Sequence, residues 1–408
     1  MEKVNQFGHV EVKDNKKLHF INITSFLMGF NASLLAYITS SYLKEILGTD
    51  NVGVIYLLAY LIILLLLLHL HKIIYIFGKS FVLHVSIILK IISIVGLIFF
   101  PVSFVGIWFL ILYTIAGTLS WTVLGSIVES FSTDRESGRI RGLHLSITNI
   151  GFIMGPILSA QLLNKYSFDG VFIASLVVYV IIFIFNLTFI RKTNHKFSKK
   201  INARDLIKKV IKRKNIMRIF YVSFTLEFFY ALMLIYSPLY LLEKGFTWEQ
   251  LGVAFTIMLI PFVIVQYPAG LIADKKTGEK EFLLFSFFIL GISTLLFYFS
   301  DSKDIMVWAM ILFLGRLGAA LVEILRESYF FKRIDGNDVD IIDFFNTSRP
   351  IAYIVATAIS SILLLFSSTA SVFLVLALVC FSAIYPTFKL ADNKSEKELS
   401  SKKVFLEA

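Results

Sequence analysis

The chain has 408 residues, 57% hydrophobic and only 16% charged, with a mean hydropathy of +0.79. That balance excludes a soluble globular protein and describes a polytopic membrane protein. The formal net charge of +11 does not indicate nucleic acid, because the basic residues lie between apolar runs, and the single cysteine, Cys380, excludes an internal disulfide and any cysteine-based metal site.

The first 17 residues are polar and show no cleavable leader pattern, so a cytoplasmic N-terminal tail (1–17) that stays on the chain is expected. A bilayer core takes roughly 20 apolar residues as helix, and a backbone in lipid must satisfy its own hydrogen bonds. Twelve runs meet that need: 18–43, 52–70, 80–100, 104–131, 141–163, 169–190, 217–242, 249–272, 281–299, 305–331, 340–366 and 370–390. The fold class predicted is an all-α integral membrane protein.

With the N-terminus inside, one face collects Lys72, Lys79, Arg135, Arg139, Arg141, Lys275, Lys276, Lys280, Lys332 and Arg333; the other holds Lys44, Lys165, Lys244 and Lys303. This asymmetry places both termini in the cytoplasm of a cell bounded by the cytoplasmic membrane. The basic stretch 191–216 divides an N-terminal six-helix bundle (18–190) from a C-terminal one (217–390), with a cytoplasmic tail at 391–408. Within the linker, Leu206, Ile207, Val210 and Ile211 share a helical face opposite lysines, which suits a helix lying on an anionic leaflet; a plain solvated linker is the other reading.

The two halves look related. Glu129 and Glu327 lie 198 positions apart, as do Gly117 and Gly315, and Ser25 and Ser223. A constant offset across several helices is the trace of a duplicated, pseudo-symmetric unit.

The loop "GLIADKKTGEKEF", 270–282, carries Gly270, Asp274, Gly278 and Lys280. With the twelve spans and basic centre, this spacing resembles the loop signature of the major facilitator superfamily (MFS). The resemblance implies two six-helix bundles that rock about a central site, with Asp274 a gating residue. It also implies a monomer without a cofactor. The equivalent loop between spans 2 and 3 keeps Gly78 and Lys79 but has Ile74 where the signature has Asp. In span 5, Gly151, Gly155 and Pro156 resemble the bend motif of proton-driven exporters of that superfamily, although Ser159 and Ala160 replace its closing glycines. Ordinary close packing of membrane helices uses the same residues.

An ionisable group in hydrocarbon is costly and marks a pathway, a proton site or an internal ion pair. The candidates are Lys90, Glu227, Arg316 and Glu323. The resemblance puts spans 1, 4, 7 and 10 around the cavity and so gathers Glu227, Arg316 and Glu323. Arg316 and Glu323 share one helical face, continued by Arg326 and Glu327. Glu227 is the expected proton carrier, tuned by Arg316; Glu323 is an equal candidate, and a permanent Glu227 and Arg316 pair tying two helices is the alternative. The resemblance makes span 3 peripheral, so Lys90 reads as an interhelical tether or a lateral contact rather than a substrate ligand. Glu129 and Glu327, near Lys79 and Lys280, read as gate ion pairs at the cytoplasmic face. No histidine set has metal-site spacing.

Phe26, Asn31 and Tyr37 in span 1, Trp121 in span 4, and Phe228, Tyr230 and Tyr236 in span 7 are the expected cavity lining. Aromatic walls with few polar groups suit an amphipathic organic molecule. Glu227 unpaired favours a cation; Arg316 favours an anion. Together these features describe a secondary transporter, proton-coupled and exporting drug-like or metabolite molecules, whose partners are that substrate, H+ and the bilayer. The alternatives are a nutrient symporter and, from another class, a membrane-embedded transferase, for which no catalytic cluster appears. The phosphate-binding pattern GxxxxGK[ST] is absent, so ATP drive is not expected.

Overall fold

The computed structural model describes residues 15–130, 137–189, 209–273, 278–334 and 339–391. The N-terminal segment holds α1 (Asn15–Ala36), α2 (Thr39–Leu47), α3 (Gly53–Phe77), α4 (Lys79–Phe99), α5 (Phe104–Ser130) and α6 (Ser137–Phe189). The C-terminal segment holds α7 (Lys214–Glu243), α8 (Trp248–Ile264), α9 (Gln266–Ile272), α10 (Lys280–Phe299), α11 (Ile305–Phe331), α12 (Val339–Asn346), α13 (Ser348–Leu363), α14 (Ala370–Ser382) and α15 (Ile384–Phe388).

Ten stretches of the described residues are long and apolar enough to cross a membrane. The stretch Leu143–Phe189 runs to 47 residues and breaks at Ser167, whose φ of 55° and ψ of −159° are not helical. The expected boundary between spans 5 and 6 falls at that break. The span expected at 340–366 is divided between α12 and α13, and α13, Ser348–Leu363, has 16 residues and is not among those ten. The span expected at 52–70 continues as helix to Phe77, because the next stop signal is Gly78, held at φ +85°.

Local chemistry sets several ends. Thr247 and Gln250 form a capping box at the start of α8, and Asp304 Oδ1 accepts from the Met306 amide at 2.9 Å to start α11. Gly78 and Gly278 (φ +77°) make equivalent turns into α4 and α10. Large apolar side chains such as Leu65, Leu68, Phe99, Phe285 and Leu378 face outward, as a lipid-bathed surface requires.

Inside, small residues let helices approach. A Cβ on Gly151 would stand 2.3 Å from the Phe26 carbonyl oxygen, and one on Gly155 would stand 1.8 Å from Ser33 Oγ. The span 5 glycines are therefore the contact surface of α6 on α1. Ser159 Oγ donates to the Leu34 carbonyl at 2.7 Å across the same interface.

Contacts recur between the segments. Tyr42 meets Phe172 edge-on at 5.4 Å, and Tyr240 meets Phe373 at 5.3 Å. Ser25 bonds to His144 at 2.9 Å, and Ser223 to Ser348 at 2.8 Å. Lys79 Nζ donates to the Ser126 carbonyl, whereas Ser328 Oγ donates to Glu279 Oε1.

The two segments meet closely near the 48–52 connection. Asn51 Nδ2 donates to the Ser361 carbonyl at 3.0 Å, and a Cβ on Gly53 would lie 2.6 Å from Tyr236 Oη and 2.7 Å from Ser361 Oγ. Tyr60 stacks on Tyr353 at 4.1 Å and Tyr37 on Phe255 at 4.7 Å. Among the described residues, no ion pair joins the segments; Lys44 pairs with Asp50 (2.6 Å) and Lys244 with Asp301 (2.5 Å), each within its own segment. Lys244 hydrogen-bonds the exposed Asp301 carboxylate and holds it below the ordinary carboxyl range.

Candidate functional site

The ionisable groups of the apolar helices gather on α7, α11 and α13. Glu227, on α7, is 8% exposed and takes two guanidiniums: Arg326 Nη2 at 2.9 Å and Arg349 Nε at 3.7 Å. Arg326 also donates to Ser223 Oγ at 2.7 Å. Arg349 is half exposed although it sits at the start of α13, among spanning helices. A charge at this depth is costly in hydrocarbon and marks a pathway or an internal ion pair.

Glu323, on α11, stands apart from these pairs. Its Oε2 accepts from Gln266 Nε2 at 2.8 Å, and Gln266 Oε1 accepts from Asn149 Nδ2 at 3.1 Å. Among the described residues, no cation lies within ion-pair distance of Glu323.

Arg316, one helical face along, is 6% exposed and also has no carboxylate partner among the described residues. Its guanidinium lies 5.3 Å from the Tyr230 ring centre and 5.9 Å from that of Phe229. Among the described residues, Arg316 Nε and the Tyr230 hydroxyl have no hydrogen-bond partner, and Tyr37 of the N-terminal segment is within electrostatic reach of Arg316.

The expected pair of Glu227 with Arg316 is not formed. Glu227 turns instead to Arg326 and Arg349, because α13 brings Arg349 and Ser348 against the same stretch of α7. Tyr37 and Tyr230 reach the Arg316 site, and Phe26 and Trp121 are partly exposed, Trp121 stacking on Phe152 at 6.2 Å. Asn31, Phe228 and Tyr236 do not face open space. Asn31 donates to the Ser175 carbonyl at 3.1 Å, Phe228 is 1% exposed, and Tyr236 donates to Ser360 Oγ at 2.9 Å. A helix apolar on every side carries no periodicity to mark its cavity face.

At the loop end, the ion pair is Glu279 with Lys332 (2.5 Å) rather than Glu327 with Lys280. Glu279 precedes α10 and is fully buried against the end of α11, where Lys332 is the C-cap. Gly270 has no close neighbour that would exclude a Cβ, the nearest being Ile324 at 3.6 Å. Asp274 and the Glu129 side chain lie outside the described residues.

Lys90 is a buried charge of the N-terminal segment. Its Nζ donates to Tyr179 Oη at 2.5 Å, lies 4.9 Å from the Tyr113 ring centre, and rests against Gly117. It ties α4 to α6, as a tether does.

Arg349, Gln266 and Asn149 were not singled out by the sequence reading. Each falls inside an expected span, and a polar side chain at such depth is the signal that marks them.

The family model for the Major Facilitator Superfamily matches residues 21–334. No curated protein matches the chain. Among solved structures, the crystal structure of the human organic anion transporter MFSD10 (TETRAN) superposes with a TM-score of 0.69 at 14% identity, covering 92% of this chain and 100% of that one. At that identity the likeness speaks for the fold. With the membrane-spanning helices and this match over most of the sequence, the chain belongs to the Major Facilitator Superfamily and is a membrane transporter.

Proposed function

We propose that the protein is a proton-coupled secondary transporter that exports an amphipathic organic anion, drug-like or metabolite, by alternating access. The observation that carries the substrate class is Arg316, a buried guanidinium that, among the described residues, has no counter-ion, bordered by two aromatic rings and a tyrosine hydroxyl with no hydrogen-bond partner there. Glu227 is already neutralised twice over, so it offers nothing to a cation. A carboxylate or sulfonate on an aromatic body would satisfy Arg316 and Tyr230 together. The description of the human structural neighbour as an organic anion transporter agrees with this reading.

Glu323 is the proposed proton carrier in place of Glu227. A carboxyl without a cation takes up and releases a proton without first breaking an ion pair, whereas Glu227 would have to leave two. The recurring contacts of Tyr42 with Phe172 and Tyr240 with Phe373 support twelve spans in two pseudo-symmetric bundles, divided by the 191–216 linker. With both termini in the cytoplasm, the seal at 48–52 lies outside and access to the site is from the inner side. The protein then works as a monomer in the cytoplasmic membrane. Outward transport rests on the Gly151, Gly155 and Pro156 pattern, whose glycines seat α6 on α1.

The test is transport by proteoliposomes carrying an internal pH indicator, with a panel of aromatic carboxylates, sulfonates and matched cations. Anions alone should move protons, Arg316→Ala should weaken their transport by raising KM, and Glu323→Gln should uncouple it. Transport of cations with Arg316 removed would overturn the reading.

A further inference from the structure

Glu323, Gln266 and Asn149 form one hydrogen-bonded chain from α11 through α9 to α6. It therefore starts at the proposed proton carrier in the C-terminal segment and ends on a helix of the N-terminal segment. Gln266 is 6% exposed, so water does not readily replace either bond.

The backbone explains how an amide comes to stand there. Pro268 lacks an N–H, which leaves the Ile264 carbonyl without its helical partner, and α8 ends at Ile264. Val265 occupies the break, with φ −105° and ψ −34°, and Gln266 opens the short α9.

The order of donors and acceptors along the chain matters. An ionised carboxylate only accepts, so Gln266 must present its NH2 to Glu323, which commits its carbonyl to Asn149. The bond to the charged carboxylate is the strong member. A proton on Glu323 turns it into a neutral bond and adds an O–H donor that the Gln266 NH2 cannot accept. The arrangement is thus matched to the ionised carboxylate.

The charged and titratable groups around Glu323 are Arg326 and Glu327 on its own helix and Glu227 and Tyr230 on α7. Among the described side chains of α6, the uncharged Asn149 is the one hydrogen-bonded to the chain.

We propose that Gln266 and Asn149 are positioning residues that couple the charge of Glu323 to the contact between the two segments. The ionised carboxylate holds α9 against α6, and protonation releases that hold, biasing the exchange between inward and outward states. This rests on Glu323 being the proton carrier.

The experiment measures the distance across the 48–52 end, between spin labels on Thr49→Cys and Lys303→Cys in a Cys380→Ser background, as pH varies over about 4 to 8, where buried carboxyls titrate. The parent should change its state populations by about tenfold over that range, the size of a typical coupling between sites. Gln266→Leu and Asn149→Ala should each flatten the response to under about twofold while still binding the anion, and Asn149→Gln should restore part of it. In a Glu323→Gln background, Asn149→Ala should add nothing. A merely structural role would lower thermal stability without altering the pH response.

If Glu323→Gln flattens the response but Gln266→Leu and Asn149→Ala leave it intact, the coupling role is wrong and the proton carrier stands. If Glu323→Gln itself keeps the parental response, the proton carrier is wrong and the coupling falls with it.

Discussion

Arg326 Nη2 and Glu227 Oε1 stand 2.9 Å apart, and the two side chains are only 9% and 8% exposed. Breaking a buried pair by removing one member costs about 3–5 kcal/mol, since the other charge is left uncompensated. The two members are not equivalent here. Glu227→Gln strands both Arg326 and Arg349, whereas Arg326→Gln leaves Glu227 with Arg349 at 3.7 Å. Thermal unfolding in detergent should therefore show the larger loss for Glu227→Gln. Equal losses would mean that Arg349 does not compensate.

Arg316 should behave in the opposite sense. A hydrogen bond to a charged group contributes about 1.5–3 kcal/mol, so Arg316→Ala should raise KM for the anion roughly 10- to 150-fold. Because the side chain has no counter-ion to abandon, the same substitution should leave the melting temperature unchanged or raise it. Loss of stability together with loss of transport would instead indicate a structural arginine.

Gly53 carries a prediction about state. A side chain there would collide with Tyr236 Oη and Ser361 Oγ, so Gly53→Leu should prop the 48–52 end apart. The only native thiol, Cys380, is fully buried, so a Ser361→Cys probe can be followed against a silent background. A membrane-impermeant maleimide should label the probe slowly in the parent and at least about tenfold faster with Gly53→Leu.

The loop pair of Lys244 and Asp301 supplies a pH control. The Asp301 carboxyl is held below its ordinary value, so its contribution is fully present above the ordinary carboxyl range. It is lost only as pH falls through that lowered value. Asp301→Asn should accordingly leave the pH profile of transport near neutrality unchanged, measured in the same vesicles as Glu323→Gln.

Much of the fold was legible in the sequence, since length and hydropathy suffice to locate membrane helices; the expected gap at 163–169 falls on the non-helical Ser167. The intramembrane charges were legible for the same energetic reason. Their partners were not. Glu227 lies on an apolar helix with no face marked, and only the three-dimensional packing of α11 and α13 against it decides that Arg326 and Arg349 meet it before Arg316 does. Gln266 and Asn149 escaped because they carry no charge to single them out among the other polar residues of the spans, and their significance lies in touching each other.

The seal at the 48–52 end is built from stacked rings, glycine backbone and hydrogen bonds, with no ion pair across it among the described residues. Salt screens charge pairs and leaves dispersion and neutral hydrogen bonds nearly untouched. Opening this end should then proceed at the same rate in dilute and in concentrated electrolyte. A transporter so sealed would keep its turnover when the ionic strength of the surrounding medium changes.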